Sequence, residues 1–217
     1  MKKKKIAKYI QEAETPIKPK ILYDKVTWGD MLTENEKTFL RNVLEDESHS
    51  KDEGLGIAIE AFALSHTATR ENITLVEKFL DEDFHNGIFA GTALKVLCYD
   101  YYWNLAKDYL SLLKGILLRQ ESDEELFSRA ALALGMYLSN NKDKEIFYFI
   151  YDLFQQALNE YHSKCDWETR DRVRSLYEAL RYASTPHEKH NDIYFEIEKM
   201  RFPDNIDNEL ILQYVKL

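Results

Sequence analysis

Two stretches of the chain are written on one template. "EDFHNGIFAGTALKVLC" (residues 82–98) and "SDEELFSRAALALGMYL" (residues 122–138) match at Asp83 and Asp123, Ala90 and Ala130, Ala93 and Ala133, and Leu94 and Leu134, so the template returns after forty positions. Small residues three apart fall on one face of a helix. They let a neighbouring helix come close, while Leu94, Leu97, Leu134 and Leu138 fill the space beside it. The Asp that opens each copy is placed to accept hydrogen bonds from the free N–H groups of a first helical turn. A helix pair of this kind cannot cover its own apolar surface, so pairs must stack.

The rest of the chain is compatible with that constraint. Of 217 residues 45% are hydrophobic, enough for a packed core, and 7 Gly with 4 Pro are too few to punctuate an all-β protein of this length. "TENEKTFLRNVLED" predicts a helix with Thr33 as N-cap and Glu36 three residues on, the capping-box spacing. After the polar break "SHSKDEG" the pattern is helix, short turn, helix. The predicted helices are "GLGIAIEAFALSHT", "RENITLVEKFL", "FHNGIFAGTALKVLCY", "LAKDYLSLLKGILLRQ", "EELFSRAALALGMYLS", "KEIFYFIYDLFQQALNEYH", "WETRDRVRSLYEALRYAS" and, past Pro186, "HEKHNDIYFEIEKM". The expected organisation is a basic N-terminal arm over residues 1–20 and a single helical domain over 21–217.

"SDEELFSRAALALGMYL", with Asp123 at its start, Arg129 before the small pair and an "AALALG" centre, resembles the first helix of a HEAT-type repeat. The spacing of forty falls in that family's range of roughly 40–47 residues. The likeness covers about residues 52–200. It is strong in the two copies above and looser in "CDWETRDRVRSLYEAL", which keeps Asp166, Ala179 and Leu180, and in "GLGIAIEAFAL", which keeps Ala58 and Ala61. It also departs from the family, since these first helices lack the proline that many such repeats use for a kink. The resemblance implies an all-α fold, a short right-handed stack of about four antiparallel helix pairs with an N-terminal helical cap. An irregular helical bundle is the alternative architecture.

Charge narrows the partner. The net charge is −9, but residues 1–20 hold seven Lys and two Glu (+5), so the remaining 197 carry −14. An acidic body repels phosphate backbones, which argues against nucleic acid and for a protein with a basic surface. No apolar run approaches the roughly 18 residues of a membrane span, and the basic start is followed by none, so neither a membrane partner nor a secretory signal is expected. Cys98 and Cys165 are too few for a disulfide scaffold; both are expected reduced, in a cytoplasmic protein.

No set of residues announces a reaction. "HEKH" puts His187 and His190 one turn apart around Glu188, but the zincin spacing needs one more residue before the second His, so no metal is expected. "HSKCDWE" gathers His162, Cys165 and Asp166 across a helix boundary, without the glycine turn that an activated thiol would use to hold an oxyanion. Cys98 reads as a small core residue. Gly54 and Gly56 lack the third Gly, the Lys and the preceding strand of a phosphate loop. Arg170, Arg172, Arg174 and Arg181 lie among Glu168, Asp171 and Glu178 and read as an ion-laced surface helix. No cofactor is expected.

Aromatic residues carry the functional expectation. "DYYWN" (residues 100–104) places Trp103 in a turn, and in "FYFIY" (residues 147–151) Ile146, Phe149, Ile150, Leu153 and Phe154 make a core face that leaves Tyr148, Tyr151 and Asp152 nearer the surface. Together with Asp108, these residues form the expected binding strip: Trp103, Asp108, Tyr148, Tyr151 and Asp152. Tyr and Trp beside acidic groups suit the Lys and Arg of a partner protein; the competing reading is that the rings pack between helices. The expected function is a non-enzymatic protein-binding module, in its most specific form a bacterial immunity protein that occludes the basic active site of a toxin such as a nuclease. The alternatives are a HEAT-like DNA glycosylase using Trp103, Asp108 and Arg174, which the acidic body disfavours, and a regulatory adaptor.

Overall fold

A computed structural model describes residues 17–46, 54–81, 87–119, 123–141, 143–164 and 166–183. Within them the chain forms nine α-helices and no strand: α1 (Ile17–Thr27), α2 (Glu34–Glu45), α3 (Gly54–Ser65), α4 (Arg70–Glu77), α5 (Ala90–Cys98), α6 (Leu110–Leu118), α7 (Glu124–Asn140), α8 (Lys144–Lys164) and α9 (Trp167–Ala183). Short 3-10 turns, Lys78–Leu80 and Ala106–Tyr109, extend α4 and lead into α6. Asp83, Cys165, the helix expected past Pro186 with His187 and His190, and residues 1–16 of the basic arm lie outside the described residues.

The helices begin where side-chain caps are available. Thr33 and Glu36 form the expected capping box at α2, Thr69 accepts from the backbone N–H of Asn72 at α4, and Asp123 accepts from that of Leu126 at 3.1 Å to open α7. Asp166 does the same for α9, taking the N–H of Thr169 at 2.7 Å. α1 was not expected. Its sequence, "IKPKILYDKVT", has little periodicity, but Pro19 lies in the first turn, where a missing N–H costs nothing, and Pro19 and Leu22 are buried. Residues 17–20 therefore belong to a helix rather than to an arm.

The described residues divide into two compact units, one formed by those up to 97 with 101–104, the other by 98–100 and those from 105 to 183. In the first, α3 packs against α1 and α2. The helix "GLGIAIEAFALS" is apolar on nearly every side, and Ala58, Ile59, Ala61 and Phe62 are wholly enclosed. In the second, α9 packs on both α7 and α8, and α6 packs on α7. Lys114 of α6 also reaches α8, bonding Glu145 at 2.7 Å and lying over the Phe149 ring.

The small-residue template is core throughout: Ala90, Ala93, Leu94, Ala130, Ala133 and Leu134 are all buried. A close helix approach in the second unit lies beside it. A Cβ placed on Gly135 of α7 would stand 2.6 Å from the carbonyl oxygen of Ala179 and 2.8 Å from its Cα, so the backbones of α7 and α9 are in direct contact there.

Candidate functional site

α8 is the helix that carries most of the expected binding residues. Ile146, Phe147, Ile150, Phe154, Ala157 and Leu158 are buried, a stripe at helical spacing. This corrects the expected core face in one respect. Phe147 is inside, while Phe149 and Leu153 are only half-buried; α8 packs on α9 and on α7, and Lys114 lies over the Phe149 ring.

The opposite face is open. Tyr148 is 49% exposed, and Asp152, one turn further on, is exposed as well. Glu145 precedes them and Gln156 follows, both exposed. The Tyr148 ring stands edge-on to Phe147 at 5.4 Å, so a buried neighbour braces its orientation. Tyr151 is half-buried and stacked against Phe147 at 6.3 Å. Asp152 makes no ion pair among the described residues, whereas Glu145 has Lys114 and Glu160 has Lys164. The face thus offers one braced ring and one carboxylate without an internal cation.

The other expected residues are Asp108 and Trp103. Asp108 is exposed, in the 3-10 turn before α6; its charge acts on the Cys98 thiol, which burial in the first place and Asp108 in the second push up to about 12. Trp103 belongs to the first unit, where it is half-buried and its indole N–H donates to the carbonyls of Ala63 (3.1 Å) and His66 (3.0 Å) at the end of α3. It caps orphan carbonyls there. Its neighbour Tyr102 donates to Glu60 at 2.5 Å, and Lys95 bonds the same carboxylate oxygen at 2.9 Å. Burial, and then the bond to Glu60, push the Tyr102 phenol far above its ordinary value. Tyr102 and Trp103 therefore fasten their own unit. Periodicity gives no sign of this, since Trp103 and Ala63 are forty residues apart.

The other sequence candidates have structural partners. Asp166 is engaged by both the N–H and the hydroxyl of Thr169, bonds that hold its carboxyl below the usual range. Arg174 pairs with Glu178 at 3.6 Å and Arg170 with Asp171 at 3.9 Å, while Arg172 lies over the Phe127 ring. Among the described residues no group of three His, Cys, Asp or Glu is placed to hold a metal ion, and no helix is long and apolar enough to cross a membrane.

Sequence reasoning missed the turn between α1 and α2. Trp28 and Met31 are 85% and 86% exposed there, around Gly29 at φ +82°. The positive φ calls for glycine, and "WGDM" is the only trace in the sequence. No protein-family model, curated protein or solved structure matches the chain.

Proposed function

We propose that the chain is a non-enzymatic protein-binding module that recognises a basic surface, and, in its most specific form, an immunity protein that covers the basic active site of a toxin such as a nuclease. The observation that carries the reading is the α8 face: exposed Tyr148, braced by Phe147, one turn from Asp152, which makes no ion pair among the described residues. A ring held in place gives contact area at little entropic loss, and a carboxylate beside it takes the Lys or Arg of a partner in a charge-assisted bond. The charge of −14 over residues 21–217 favours the encounter.

The scaffold of this reading is a HEAT-like stack of helix pairs, supported by the second unit. There the first helices of successive pairs, α7 and α9, pack on each other, and the second helices, α6 and α8, are joined through Lys114. Alignment of every second helix is what repeat stacking requires.

The test compares affinity capture by the tagged full chain, its Tyr148→Ala/Asp152→Ala variant and a Glu125→Ala control on α7. A partner of pI above about 9 should be recovered by the wild type and the control. The double variant should bind it with a loss of more than about 2 kcal/mol at unchanged helical content. Recovery by the double variant but not the control would move the binding face to the other helices, and tight, salt-sensitive binding of duplex DNA would overturn the reading.

A further inference from the structure

The first unit contains a polar cleft of about 340 Å³ between α2 and the turn that joins α3 to α4. α2 lines it with Glu34, Lys37, Thr38 and Arg41, one stripe of the helix. Across from them stand Ser65, His66 and Thr67, with Asn72 from the first turn of α4. Arg41 is held by more than a surface carboxylate. One terminal nitrogen donates to Glu71 at 2.7 Å, and the other to the side-chain oxygen of Asn72. Asn72 is buried, and its own amide nitrogen donates to the carbonyl of Thr67 at 2.9 Å, so the guanidinium keeps its place when Glu71 leaves.

His66 contributes an acceptor. The Ser65 hydroxyl donates to the carbonyl of Ala61 at 2.7 Å, which leaves its oxygen only lone pairs to offer. Nδ1 of His66 stands 3.0 Å from that oxygen and 3.0 Å from the carbonyl of Phe62. Two acceptors around Nδ1 assign the proton to it and leave Nε2 with the lone pair. Burial, reinforced by the charges of Arg41 and Lys37, holds the imidazole below its ordinary value, so it is neutral at neutral pH. The ring is stacked on Phe62 at 4.0 Å, which fixes its plane.

Carboxylates of this chain already occupy the two cations. Glu71 on Arg41 and Glu34 on Lys37 have side chains 78% and 88% exposed, and Glu45, a second carboxylate 3.6 Å from Arg41, is 52% exposed; carboxylates this open to water gain little from their pairs and exchange for a better-placed anion. We propose that the cleft binds an α-carboxylate carrying a neighbouring N–H donor, as at the end of a peptide chain or in a free amino acid, the carboxylate replacing Glu71 and Glu34 on Arg41 and Lys37 and the N–H donating to Nε2 of His66. The planar guanidinium matches a carboxylate edge. A fully ionised phosphate has no proton for the imidazole lone pair.

The experiment is a ¹⁵N NMR titration of the full chain with N-acetylalanine, N-acetylalanine amide, free alanine and acetate. N-acetylalanine or alanine should give saturable shifts confined to residues around Lys37, Arg41 and His66, and the tighter of the two tells chain end from free amino acid. The amide, which gives up the charge that faces both Arg41 and Lys37, and acetate, which gives up the N–H contact, should each bind more weakly by at least roughly tenfold. Arg41→Gln should abolish the shifts; if that variant fails to fold, Lys37→Gln, which breaks only an exposed pair, should still weaken binding several-fold, while Glu125→Ala changes nothing. Absence of saturable shifts, acetate as good as N-acetylalanine, or a folded Lys37→Gln with wild-type affinity overturns the proposal.

Discussion

Polar ties between distant residues recur through the first unit, whereas the second, which has one in Lys114–Glu145, also brings two helix backbones into contact. In the first, side chains far apart in sequence meet through polar atoms: Lys95 and Tyr102 on Glu60, Trp103 on the end of α3, Lys25 on Glu36 between α1 and α2, and Arg41 on Asn72. In the second, the decisive contact has no side chain on one partner, since Gly135 lets the backbone of α7 lie against Ala179 of α9. Polar ties are directional, and losing one partner strands the other in a half-buried place. A glycine contact has no direction to lose but no room to give. The first unit should therefore respond to changes of charge and the second to changes of volume.

The largest effect is expected at Gly135. Gly135→Ala puts a methyl group against backbone atoms that cannot rotate away, and overpacking of this kind costs roughly 1–3 kcal/mol, here near the upper end. Alanine's better helix propensity, about 1 kcal/mol over glycine, works against the loss and does not reverse it. Denaturant unfolding reads this directly, and an unchanged midpoint would mean that α7 and α9 do not touch at this position. Glu60→Ala comes next. It leaves Lys95 and Tyr102 without their shared acceptor, at about 2 kcal/mol, below the range for fully buried pairs because Lys95 and Glu60 retain some exposure (16% and 19%). Glu60→Gln, which can still accept from Tyr102, should lose clearly less. Equal losses for the two variants would remove the tie as a cause.

What could be read in the sequence divides along the same line. The small face of α7, its Asp123 cap and the Thr33–Glu36 box were legible because each lies within a turn or two of helix, where spacing fixes geometry. The exposure of Tyr148 and Asp152 followed from the same periodicity. The ties of the first unit were not legible, because Glu60 and Tyr102 are forty-two residues apart and nothing local signals their meeting. Trp103 shows the cost of that gap. An aromatic residue in a turn suggests a binding surface, but its indole N–H fastens α3. Phe147 was missed for another reason. Helical period alone does not say which neighbours cover α8, and α9 and α7 pack against its buried stripe. The cleft around Arg41 and His66 was equally invisible, since it joins residues from three helices that only the packing of the first unit brings together.

The smallest effect separates the units by pH. Cys98, in the second unit, is buried and its thiol is pushed up to about 12. Tyr102, in the first, is raised too, by burial and by its bond to Glu60. Both folded-state values lie above the unfolded ones, so the folded chain keeps protons that the unfolded chain gives up, and stability falls as pH rises. The two losses start at different places. An unfolded thiol titrates near 8.5 and an unfolded phenol near 10, so the thiol alone acts between about pH 8.5 and 10. The slope there approaches roughly 1.4 kcal/mol per pH unit. Cys98→Ala should flatten that window and leave the steeper loss above about pH 10, whereas Tyr102→Phe should leave the window intact and relieve part of the loss above it. Urea unfolding free energies at half-unit steps from pH 7.5 to 10.5 provide the comparison. If Cys98→Ala keeps the wild-type slope between 8.5 and 10, the thiol is reached by water in the folded chain, and Cys98 is less enclosed than its burial implies.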